Sequence, residues 1–167
     1  MIIRRIATLG IALLAVATTT PADPPKEKSP ATRLAHMVVL PDDVKWTDAP
    51  GFSAGTKIAV LDGDPSKAGS LFTLRFKAPD GAKIPPHWHS GDEMLTVIEG
   101  SFGLGFGEKF DKEKIRYMPA GTYARMSKGE RHFALTKGET IVQVSGIGPF
   151  DVNYVDPSDD PTKKGEK

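Results

Sequence analysis

The sequence predicts an all-β sandwich or barrel, on three observations. Short apolar runs recur at roughly even spacing, and the breaks between them are almost all Gly, Asp or Pro. Within the clearest runs, apolar and polar side chains alternate with the two-residue period of a pleated strand, whose successive side chains face opposite sides. No convincing amphipathic helix, with its 3.6-residue apolar stripe, is present. Many short strands separated by turn signals can bury their apolar faces only by packing sheet on sheet or by curling one sheet on itself.

In chain order, the folded part opens with an apolar run at 37–40, stopped by Pro41, Asp42 and Asp43. A run at 57–61 ends at Asp62-Gly63-Asp64-Pro65. The next, 70–78, has the plainest pattern: Phe72, Leu74 and Phe76 alternate with Thr73 and Arg75. Further strands are expected at 83–89, 94–99, 102–106, 115–118, 122–126, 132–136 and 140–145. The stretch 146–150 reads as the turn closing the last strand pair. Trp46 and Trp88 read as packing residues, and His36 as a surface or strand histidine.

The two ends read differently. In residues 1–17, Arg4 and Arg5 precede an apolar run and the small-x-small triplet Ala15-Val16-Ala17, the pattern of a secretory signal peptide. Cleavage after Ala22 is the alternative. At about a dozen residues the run is too short for a membrane span of roughly 20. Residues 18–32 form a proline-rich leader, 33–155 the domain, and 156–167 a polar tail. A periplasmic or secreted location is therefore expected, with no membrane association after cleavage. The chain has no cysteine, which excludes disulfides and thiolate metal sites.

Loss of Arg4 and Arg5 takes the 22 basic residues to 20 against 21 acidic ones, so the net charge passes from +1 to −1. That balance gives no electrostatic footprint for nucleic acid or for an anionic membrane surface.

The chemistry concentrates in 81–100, GAKIPPHWHSGDEMLTVIEG. It holds His87 and His89, two of only four histidines. On a strand these two face the same way and Trp88 the other. Ser90-Gly91-Asp92 is turn chemistry that brings Glu93 back towards the imidazoles. Two neutral imidazoles and a carboxylate converging from one side suit a divalent transition metal.

Gly81, five residues, His87-x-His89, three residues, Glu93, six residues and Gly100 resemble the first motif of the cupin family position for position. A second cupin motif begins at Gly121 and runs through Ser127-Lys128-Gly129 to His132 and Thr136. Its spacing matches, but Ser127 stands where the family has Pro and Thr136 where it has Asn. The other candidate register, Pro119-Ala120-Gly121, puts Ala124 where the histidine belongs. The resemblance implies a single cupin-type β jelly-roll barrel with short or no helices. It also implies one divalent metal (Fe, Mn, Zn, Ni or Co) held by His87, His89, Glu93 and His132.

Strand parity lets His132, Ala134 and Thr136 share an inward face, and likewise Glu93, Leu95 and Val97. Whether Tyr117, Tyr123, Arg125, Phe133 or Gln143 reaches the cavity does not follow from parity. Four protein ligands leave about two positions of a six-coordinate ion open. The expected function is that of a metal-dependent enzyme, a dioxygenase-type oxidoreductase acting on a small organic molecule. The alternative is a non-catalytic protein that binds or senses a small molecule or metal. A homodimer is implied by the resemblance alone.

Overall fold

A computed structural model describes residues 36–160 and Lys163. The expected signal peptide, the leader and half of the tail lie outside the described residues. Nine strands are described: β1 (Thr47–Asp48), β2 (Lys57–Asp62), β3 (Leu71–Ala78), β4 (Lys83–Trp88), β5 (Glu93–Phe106), β6 (Arg116–Pro119), β7 (Tyr123–Met126), β8 (His132–Ile147) and β9 (Asn153–Tyr154). The helical content described is three short 3-10 turns, at Pro41–Asp43, Lys112–Lys114 and Pro157–Asp159. Among the described residues no helix is long and apolar enough to cross a membrane.

The strands run β1-β2-β3-β8-β4-β9, with β5 paired to β8 and both β6 and β7 paired to β5. Two strands build both layers. Residues 140–147 of β8 lie between β3 and the first half of β5, while residues 132–135 lie between β4 and the second half of β5. The sheet therefore curls on itself, and its concave face closes over Phe72, Leu74, Leu95, Val97, Phe102, Val142 and Val144. This is the expected jelly roll.

Three sequence expectations are corrected. The runs 94–99 and 102–106 are one strand, as are 132–136 and 140–145. Gly100 bends β5 rather than ending it: it sits at φ 73°, and the β5–β8 pairing shifts register on either side of Glu99. Such a bulge turns the strand while keeping the ladder. The run 37–40 forms no strand, and Met37, Val38 and Leu40 are exposed. β1 and β9, two residues each, are too short to carry a sequence period and exist through their pairing with β2 and β4. Trp46 and Trp88 are half-buried and His36 is exposed.

Candidate metal centre

The centre forms where β4 meets β8, with His87 directly opposite His132. Alternation along β4 turns His87 and His89 inward and leaves Trp88 half-buried. After the turn at residues 90–92, Glu93 opens β5 on the same side, and Leu95 and Val97 continue its buried face. His132, Ala134 and Thr136 share the inward face of β8. Each of the four candidate ligands is at most 6% exposed.

All three imidazoles are anchored in the same way. Nδ1 of His87 donates to the Pro85 carbonyl at 2.7 Å, that of His132 to the Glu130 carbonyl at 2.9 Å, and that of His89 to the Asp151 carbonyl. A carbonyl only accepts, so each ring carries its proton on Nδ1 and turns the lone pair of Nε2 inward. One ring nitrogen from each histidine lies within 4.8 Å of the others. Glu93 Oε2 lies 3.2 Å from His89 Nε2 and 3.4 Å from His132 Nε2. The His89 contact has ion-pair distance without hydrogen-bond geometry, so this buried Nε2 has no hydrogen-bond partner.

Burial, reinforced by His132 and His89, lowers the His87 imidazole to about 3 and keeps it neutral. Burial acts to raise Glu93, but its contacts with His132 and His89 outweigh that and hold the carboxyl at about 2. Burial pulls His89 down, yet Glu93 and Asp151 together leave it raised. The result is a buried carboxylate with, among the described residues, no Lys or Arg as ion-pair partner, its Oε2 within 3.4 Å of the Nε2 atoms of His89 and His132. A divalent cation satisfies both the charge and the orphaned nitrogen, so the residues fit a metal.

The two motifs are tied together. Gly129 N–H donates to the His89 carbonyl at 2.9 Å, and Lys128 N–H to Asp92 Oδ1 at 2.9 Å. Both departures from the family pattern have roles here. Ser127 N–H donates to Glu130 Oε2 at 3.0 Å, which a proline could not do. Thr136 Oγ1 accepts from Ala82 N–H at 2.9 Å and donates to the Pro79 carbonyl at 2.5 Å, pinning the turn that feeds β4.

The segment after β8 includes the expected turn at 146–150 and the end of the domain up to residue 155, to which the sequence assigns no role, and it is part of the centre. Phe150 stacks on His89 at 4.4 Å and 18°. The Asp151 carboxylate accepts from Ser90 N–H at 2.7 Å and from Ser90 Oγ at 2.6 Å. Burial acts to raise this carboxyl, but the bonds from Ser90 lead the effects that outweigh it and hold it at about 2. β9 then pairs with His87 and Trp88. No spacing rule links Asp151 to His89, 62 residues earlier.

A cavity of about 270 Å³ opens on His87, His89 and Glu93. None of Tyr117, Tyr123, Arg125, Phe133 and Gln143 lines it. The first three line an outer groove, Phe133 is buried beneath Phe110, and Gln143 accepts from Arg75 Nε at 3.3 Å.

The sequence pattern described as the ChrR cupin-like domain matches residues 34–151. The chain belongs to this cupin family. No curated protein sequence matches it. Among solved cupin-fold structures, the polyketide cyclase RemF from Streptomyces resistomycificus has a TM-score of 0.62 at 24% identity, over 80% of this chain and 94% of that one. An acetylacetone dioxygenase from Acinetobacter johnsonii gives 0.56 at 18% identity, over 74% and 79%. An RmlC-like cupin from Shewanella frigidimarina NCIMB 400 gives 0.53 at 18% identity, over 68% and 91%. At these identities the likeness establishes the jelly-roll fold.

Proposed function

We propose that this cupin is a metal-dependent oxidoreductase of the dioxygenase type, acting on a small organic molecule. One observation carries the reading: three imidazoles fixed through Nδ1 turn their other nitrogens towards one another beside Glu93, and two of them, His87 and His89, form one end of an apolar cavity with that carboxylate. His87, His89, Glu93 and His132 would hold one divalent transition metal. Fe(II) or Mn(II) there would supply oxygen chemistry on an enol or phenol, and Zn(II), Ni(II) or Co(II) Lewis-acid chemistry. The chain's own contribution is to fix the tautomers, keep His87 neutral, and surround the rest of a ligand with apolar walls. The fold shared with an acetylacetone dioxygenase supports the oxygenase reading.

Elemental analysis of protein purified without chelator or histidine tag, beside His132→Ala, tests it. Near-stoichiometric iron or manganese in the parent, lost in the variant, is expected, together with oxygen uptake on small enols or phenols. A parent that binds no metal would sink the proposal. The second reading, non-catalytic capture or sensing, is favoured by the absence, among the described residues, of any titratable side chain lining the cavity beyond His87, His89 and Glu93. It predicts ligand-induced thermal stabilisation with no product and no oxygen consumed.

The same proposal includes export, motivated by Arg4, Arg5 and the apolar run that follows them. N-terminal sequencing of the protein recovered from its source cells should find a start just after Ala17 or Ala22. An intact Met1 would refute it.

A further inference from the structure

The cavity wall differs in kind from its inner end. Apart from His87, His89 and Glu93, every lining residue is apolar, including Phe52, Leu74, Phe76, Val144 and Phe150. These come from separate parts of the fold and support one another: Phe52 meets Phe76 edge-on at 5.1 Å, and Phe150 packs against both Phe72 and His89. Val152, 37% exposed, marks where the lining meets solvent. Among the described residues, no Lys, Arg, Asp, Ser, Thr, Asn or Gln reaches this wall.

A ligand placed here meets two environments. Its head can meet the imidazole and carboxylate end, where an ion held by those side chains would attract an oxygen donor. Its body has only aliphatic and aromatic neighbours, which give nothing back to a charge stripped of water. We infer that the site selects a small molecule with one oxygen-donor head, of the enol or phenol class, and an uncharged apolar body, and that it discriminates against the same molecule with a charged group on that body. This rests on the metal-centre reading for the head and on the wall alone for the body.

The test uses the full chain loaded with Co(II), whose visible spectrum reports first the loading and then any change at the ion. Three probes share one ring and hydroxyl: phenol, 4-ethylphenol and 4-hydroxybenzoate. We expect 4-ethylphenol to bind about tenfold or more tighter than phenol, since the ethyl group adds buried apolar area. It should exceed 4-hydroxybenzoate by at least about tenfold, since the carboxylate must desolvate. Equal binding of phenol and 4-ethylphenol, equal or tighter binding of 4-hydroxybenzoate, or no binding of any probe to cobalt-loaded protein would each overturn the inference and leave the metal centre standing. Failure to take up cobalt would count against the metal centre instead. The same three probes, ranked by thermal shift on the metal-free chain, would then support or overturn the body preference.

Discussion

Asp151 acts on the centre twice. Its carbonyl holds the His89 ring, and its carboxylate ties the Ser90 backbone and hydroxyl beside it. Asp151→Ala keeps the first bond and loses the second, freeing the strand end that carries His89. Metal affinity should fall by about 10- to 100-fold, measured by competition with a chromophoric chelator. Asp151→Asn, which still offers Ser90 an acceptor, should lose much less. Unchanged affinity in the alanine variant would remove Asp151 from the positioning role. That His87, His89 and Glu93 would lie together was legible in the sequence because parity and a tight turn leave a spacing behind, and that His132 would join them was legible from the spacing of the second cupin-like motif. Asp151 was not, because the atom that aims His89 is a main-chain oxygen, which every residue possesses.

For the elements, the bends matter more than the strands. A Cβ at Gly100 would sit 2.2 Å from the Glu139 carbonyl oxygen, at a φ of +73° that side chains rarely adopt. Gly100→Ala should therefore cost about 3 kcal/mol or more, read as a shifted urea midpoint at unchanged slope. Loss of less than about 1 kcal/mol would mean that β5 bends without help from this residue. Thr136→Val removes the hydroxyl that holds the turn before β4, and a cost of about 1–3 kcal/mol is expected in the same experiment. Strand positions were largely readable from alternation and turn residues, but their joining was not, because a bulge at a glycine looks like a stop. Burial escaped parity in a similar way. Phe133 points away from the cavity yet is fully buried, since Phe110 covers it and Gly105 leaves room for its ring.

At the scale of the molecule, the centre makes the metal-free chain acid-sensitive. Glu93 is held at about 2 against an ordinary 4.5, so its stabilisation is complete above 4.5 and fades as pH falls towards 2. His87 titrates at about 3 in the fold against 6.5, so the unfolded chain takes up its proton first and gains as pH drops between those values. His89 is raised, so its contribution is full below 6.5 and declines as pH climbs through its higher value. Calorimetry of the metal-free protein should show the unfolding temperature falling steadily from about pH 6.5 to pH 3. A flat profile would contradict this electrostatic account. Metal added at neutral pH should raise that temperature, and chelation should reverse the gain. The order of synthesis adds a further consequence. The carbonyl that aims His89 is made 62 residues after the ring it holds. His87 and His132 find their carbonyls two residues away, but a growing chain leaves His89 unanchored, so the full set of candidate ligands is fixed only once synthesis has passed Asp151. Under the metal-centre proposal, the ion held would then be set by the supply where the finished chain folds, as much as by the intrinsic ranking of ions for nitrogen and oxygen donors.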